Sequence, residues 1–158
     1  GADVDMARLS LRAFAVFGAN LPESANNDCQ ISNRPVSMLI VNGSEDPINP
    51  FEGGTVVAGD GQPRGRVLST TETFKYWKQL LPGKCAEKTL RYPDEDGDGC
   101  YVLEQRFENK NFEVSLLNIQ NGGHTIPHPK VTAWPGFVGK VNRDINGPLL
   151  VWAFFERQ

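Results

Sequence analysis

Two short apolar runs, each stopped by glycine, constrain this chain more than any other feature. In "VSMLIVNGSEDP" the run Val36 to Val41 ends at Asn42-Gly43. In "FEVSLLNIQNGGHTIP" the pattern alternates, turns apolar, and then breaks at Asn121-Gly122-Gly123 before His124. Runs of roughly 4–8 apolar residues bounded by turn residues read as buried strands. Both turn polar at their C-terminal ends. A third run, Ala13 to Phe17 in "RAFAVFGAN", is ended by Gly18.

Helices fall between and after these strands. Ser69 with Glu72 three residues on is a capping box. Phe74, Trp77 and Leu81 follow at helical spacing, and Pro82-Gly83 closes the helix. "RDINGPLLVWAFFERQ" predicts a final helix, N-capped by Asp144 or Asn146 with Pro148 in its first turn. Its Trp152, Phe154 and Phe155 are expected to pack in the core or on the sheet. Residues 2–10 predict a short helix without a start signal. Residues 21–35 and 48–67 have loop composition, and "CAEKTLRYPDEDGDGCYVLEQRF" predicts a strand, a turn and a strand. Strands alternating with helices predict an α/β sheet in one domain.

Composition narrows the functional classes. The chain has 158 residues, is 39% hydrophobic and 22% charged, and carries a formal net charge of -3. That is globular composition with no basic excess for nucleic acid. No Lys/Arg run suits an anionic membrane surface, and no apolar segment reaches spanning length. None of the three cysteines, Cys29, Cys85 and Cys100, lies in a CxxC, which argues against zinc.

The chemistry-bearing residues sit just past strand ends, where open α/β sheets gather functional groups. His124 follows the strand ending at Ile119, and Asp46 follows the strand ending near Gly43. A carboxylate there can hold an imidazole's tautomer and stabilise its imidazolium. Glu45, next to Asp46, competes for that role, and Asp46 could equally cap the turn before Pro47. Asp then His is the second half of the Ser…Asp…His order of α/β-hydrolases.

These residues carry a resemblance. "VNGSEDPINPFEGG" resembles the acid-loop motif HGxxDxxVPYxGG of the secreted esterases that include polyhydroxybutyrate depolymerases and feruloyl esterases. "NGGHTIP" resembles the same family's histidine motif, GGGHT(W/I)PG. "RAFAVFGANLP", "RGRVLSTTETFKYW" and "FVGKVNRDINGPLLVWAFFER" are similar to its intervening strand, helix and ending, in the same order from about residue 11 onward. The resemblance implies a three-layer α/β-hydrolase fold with Asp46 as triad acid and His124 as triad base. It implies a carboxylic ester hydrolase, secreted or periplasmic, needing no cofactor. The substrate would be a small ester, a polyester or a cell-wall ester. Trp134 and Phe51 are its candidate substrate-binding residues; the alternative for Trp134 is packing of a long loop.

Departures shape the expectation as much. No serine lies in a G-x-S-x-G elbow. Residues 1–158 are therefore expected to be the C-terminal part of one hydrolase domain, lacking the N-terminal strands and elbow, with an exposed sheet edge. A missing N-terminal half or a partner chain would complete it. Ser10, Ser44 and Ser69 are the candidate substitutes for the nucleophile. Asn42 stands where the family has His, and His128 where it often has Gly, a change expected to crowd the site mouth. Cys85 falls near a family disulfide position, and pairing with Cys100 is the first expectation, leaving Cys29 without its partner. The alternative function is a non-catalytic hydrolase-like binding module. A rival site is Asp94, Asp96 and Asp98 before Gly99, the start of an EF-hand calcium loop. Its twelfth position is Gln105 rather than Glu, with Glu104 one early, so an acidic hairpin turn competes with that reading.

Overall fold

The computed structural model describes residues 11–29, 33–131 and 134–158. The helix expected over residues 2–10, and Ser10 with it, lie outside the described residues. The elements are β1 (Ala13–Phe17), β2 (Ser37–Gly43), β3 (Gly54–Val57), β4 (Pro63–Val67), α1 (Thr70–Gln79), β5 (Ala86–Arg91), β6 (Val102–Glu108), β7 (Glu113–Ile119) and α2 (Gly147–Glu156). The fold is mixed α/β, with a five-stranded sheet ordered β1-β2-β7-β6-β5. β1, β2 and β7 are parallel, while β6 and β5 are antiparallel to their neighbours. No helix among the described residues is long and apolar enough to cross a membrane.

The apolar runs explain the centre of the sheet. Every residue of β2 is buried, because helices cover both faces. On one face Leu39, Val41, Val102, Leu117 and Ile119 pack with Phe154 of α2. On the other, Met38, Ile40, Val114 and Leu116 pack with Phe74 of α1, and Trp77 and Leu81 join them as the helical spacing predicts. The edge strand β5, "AEKTLR", is exposed throughout, and its charges suit an open edge. β1 forms the opposite edge.

Caps follow local chemistry. Ser69 Oγ accepts the Glu72 N–H at 3.1 Å, and Glu72 Oε2 accepts the Ser69 N–H at 3.0 Å. Of the two caps considered for α2, Asn146 takes the role, accepting the Leu149 N–H at 3.1 Å. Asp144 instead accepts the Glu95 N–H at 2.8 Å.

Three expectations are corrected. Trp152 and Phe155 are 62% and 41% exposed, while Phe154 is fully buried. A helix turns about 100° per residue, so the stripe that takes Phe154, Leu150 and Val151 to the sheet directs Trp152 away from it. Within residues 48–67, read as loop, β3 and β4 form a two-stranded antiparallel sheet. The Gly/Pro content that hid it belongs there, since Pro63 opens a strand and Gly65 adopts φ +96°. Finally, all three cysteines are free. Ala86 pairs with Glu108 and Arg91 with Leu103, so Cys85 and Cys100 flank opposite ends of the β5-β6 hairpin. At roughly 3.3 Å per residue that span far exceeds the reach of a disulfide. Cys100 is instead buried, and that burial pushes its thiol up to about 11.

Under α2 lies a charged cluster that no sequence pattern announced. Glu104 and Glu113 are 6% and 5% exposed. Arg106 pairs with Glu104, Arg157 of the α2 C-cap reaches Glu113 at 2.9 Å, and Ser115 Oγ donates to Glu113 at 2.8 Å. Tyr92 donates to Glu104 at 2.8 Å. Burial, reinforced by that bond and by the Glu104 charge, pushes the Tyr92 phenol from 10.0 up to about 12.

Phe154→Ala is expected to cost about 3–5 kcal/mol in urea denaturation, and Trp152→Ala to stay within about 0.5 kcal/mol. The Tyr92 phenol ionises less readily folded than unfolded. Its stabilisation is therefore complete below pH 10 and lost as pH rises toward 12. The stability advantage of the wild type over Tyr92→Phe should shrink across that window.

Candidate active site

The register fixes where the site can form. Gly43 lies beside Ile119, so β2 and β7 end level with each other, and Phe17 beside Val41 ends β1 on the same side of the sheet, two residues earlier. The three loops that follow them leave from one edge of the sheet. Backbone hydrogen bonds then join two of these loops. Ser44 N–H donates to Ile119 C=O and Glu45 N–H to Gly122 C=O, each at 2.9 Å. Gly123 N–H donates to Lys140 C=O at 2.8 Å, and His124 N–H to Val138 C=O at 2.6 Å.

This joining brings Asp46 and His124 together. His124 Nδ1 lies 2.8 Å from Asp46 Oδ2. A carboxylate only accepts, so Nδ1 carries the proton, and in the neutral imidazole Nε2 is the acceptor nitrogen. Asp46 Oδ1 accepts the N–H groups of Ile48 and Asn49, both at 2.8 Å. The Asp46 side chain is 1% exposed and that of His124 is 34% exposed. The carboxylate is thus buried with both oxygens satisfied, while the imidazole reaches the surface. Its Nε2 makes no hydrogen bond among the described residues.

Glycines allow the approach. A Cβ on Gly43 would meet the Gly122 carbonyl oxygen at 2.2 Å, and one on Gly123 would meet that of Val138 at 2.2 Å. Gly18, at φ +56°, lies against the pair itself. A Cβ there would stand 2.7 Å from His124 Cε1 and Nδ1 and 3.3 Å from Asp46 Oδ2. The imidazole opens on a cleft of about 220 Å³ lined by Phe17, Gly18, His124, Thr125, Ile126 and Trp134.

The other candidate residues divide. Trp134 lines the cleft and is 41% exposed. Phe51 does not line it; its carbonyl accepts the Thr70 N–H at the start of α1. Glu45 is exposed and is not the histidine's partner. His128 does not crowd the cleft, since its Nδ1 accepts the Lys130 N–H at 3.1 Å. Ser44 Oγ accepts the Asn121 N–H at 2.8 Å, and Ser69 caps α1. No local sequence pattern marks Phe17 and Ile126 as cleft walls, or Gly18 as more than a strand stop.

At the acidic turn, oxygens of Asp94, Asp96 and Asp98 lie within 4.8 Å of one another. Protein groups already answer them. Asp94 accepts the N–H groups of Asp98 and Gly99 at 3.1 and 2.9 Å, Asp98 accepts that of Cys100 at 2.7 Å, Arg143 pairs with Asp96, and Lys140 lies 3.3 Å from Asp98. Glu104 belongs to the cluster under α2, and Gln105 donates to Glu87, so neither supplies a twelfth ligand. The flanking elements are strands rather than the helices of an EF-hand.

Compared with models of known protein families, with curated proteins and with solved structures, the chain matches none.

Gly18→Ala should displace the His124 ring and lose the Nδ1–Asp46 hydrogen bond. The left-handed backbone adds about 1–2 kcal/mol of destabilisation. A crystal structure of the variant, with its urea denaturation curve, checks both effects.

Proposed function

We propose that this chain carries the acid and base of a carboxylic ester hydrolase of α/β-hydrolase type, with the nucleophilic serine supplied from outside these 158 residues. The 2.8 Å contact between His124 Nδ1 and Asp46 Oδ2 at the shared strand-end edge carries the reading. Resemblance to the secreted esterases, and the chain order Asp then His, support it.

The chemistry follows from that geometry. His124 Nε2 takes the proton of a serine hydroxyl as the oxygen attacks an ester carbonyl. Asp46 holds the ring and offsets the charge of the imidazolium. The proton then passes to the leaving alcohol. Water, activated by the same Nε2, releases the acyl group and restores the serine. Phe17, Ile126 and Trp134 give the cleft apolar walls for the ester's acyl or alcohol part. A small ester, a polyester or a cell-wall ester fits this description.

A second reading has its own observation. Ser37 accepts the Glu113 N–H, Ser44 that of Asn121 and Ser69 that of Glu72, while Ser115 donates to Glu113. No serine among the described residues hydrogen-bonds to His124. A non-catalytic hydrolase-like binding module that keeps the pair without a nucleophile matches this observation as well as the first reading does.

A fluorophosphonate probe read by intact mass separates the two. The 17.5 kDa chain should stay unlabelled. A polypeptide joining it to a nucleophile-bearing segment should be labelled, and His124→Ala should cut its hydrolysis of an activated acetate ester by about 10²–10⁴-fold. Labelling of a serine within this chain, or hydrolysis indifferent to His124→Ala, would overturn the proposal. Absence of labelling in both leaves the binding module as the better reading.

A further inference from the structure

We infer that Asn42 is a positioning residue for the His124–Asp46 pair, acting through the Ala19 peptide and Gly18. The inference rests on reading that pair as acid and base. Asn42 is 2% exposed at the end of β2, four residues before Asp46. A buried amide is costly unless its hydrogen-bonding groups are satisfied. Here they are satisfied entirely across segments. Asn42 Oδ1 accepts the Ala19 N–H at 3.2 Å. Its Nδ2 donates to Asn20 Oδ1 and Thr70 Oγ1, both at 2.9 Å, and lies 3.3 Å from the Ala19 carbonyl oxygen.

The partners extend the clamp to the acid loop. Thr70 Oγ1, itself fully buried, donates to Asn20 Oδ1 at 3.0 Å. Asn20 Nδ2 donates to the Pro50 carbonyl at 3.2 Å, and Thr70 N–H to that of Phe51 at 2.8 Å. Asn42, Asn20 and Thr70 therefore tie together the loop after β1, the end of β2, the acid loop and the first turn of α1. What this clamp holds is the peptide next to Gly18, and Gly18 is the backbone on which the His124 ring rests. Releasing it frees the ring to tilt away from Asp46 while every group of the pair is still present.

The test reads the pair directly, by the downfield proton resonance of a hydrogen-bonded imidazole in the 158-residue chain, assigned by its loss in His124→Gln. Asn42→Ala is expected to speed exchange of that proton with water by about tenfold or more, the change that loosening by one hydrogen bond gives. Thr70→Val, which removes the bridging hydroxyl at constant shape, should do the same, and Thr70→Ser should restore the signal. The two Thr70 variants carry the test if Asn42→Ala does not fold. Arg157→Ala, which breaks the Glu113 pair beneath α2, is the control for a general loss of stability. It should lower Tm and leave the resonance alone. A resonance unchanged in Asn42→Ala and Thr70→Val overturns the inference. So does one lost equally in Arg157→Ala, or one absent from the wild type, where no held pair exists to position. The measurement needs no nucleophile, so failure of ester hydrolysis with an intact resonance counts against the proposed function and not against Asn42.

Discussion

Gly43 can lie against the Gly122 carbonyl only because it has no side chain. That close approach lets the loop after β2 hydrogen-bond to the loop after β7, through Ser44 and Ile119 and through Glu45 and Gly122. The approach in turn requires β2 and β7 to be parallel and to end level, with Gly43 beside Ile119. Buried apolar packing on both faces holds that register, since a slip of one residue would turn every core side chain to the wrong face. The position of Asp46 relative to His124 is thus an outcome of sheet register and of two backbones touching, and only then of the hydrogen bond between them.

Burial is divided unevenly across the molecule, and the division bears on the site. β2 and β7 lie between α1 and α2, and Asp46 and His124 follow their ends. The charged cluster of Glu104, Arg106, Glu113 and Arg157 lies under α2, with two anions answered by two cations. Breaking one such pair costs far more than forming it gains, because a buried charge is left without its partner. The cluster therefore fixes where α2 docks more than it adds to net stability. α2 also presents Leu149, Trp152 and Phe155 outward, exposed by 63%, 62% and 41%.

The pair at the strand ends is asymmetric in a way that suits proton transfer. Asp46 has its oxygens used by two backbone N–H groups and the imidazole, which leaves it little freedom to turn. His124 is held at Nδ1, lines a cleft with apolar walls, and makes no hydrogen bond at Nε2 among the described residues. The acidic turn presents the opposite arrangement. Its carboxylates are answered by backbone N–H groups and by Lys140 and Arg143, and they pin the hairpin connection to the segment that follows the histidine loop.

Much of this was legible in the residues themselves. Local chemistry sets the capping box at Ser69 and Glu72, the apolar runs of β2 and β7, and the glycines after them. It also gives the order Asp46 then His124, and so the candidate pair. Periodicity could not say which aromatic residues of α2 face the sheet, because an apolar helix has no polar face to mark its outside; Phe154 went in and Trp152 out. Spacing could not pair cysteines, because the hairpin register sets Cys85 and Cys100 at opposite ends. Nor could it show that Asn42, Asn20 and Thr70 meet in one buried network, or that Gly18 lies against the imidazole. The sequence by itself determined which segments become strands and which residue types stand at their ends. The tertiary structure decided which of those ends meet, since that depends on strand order and on contacts between residues dozens of positions apart, which no local pattern encodes.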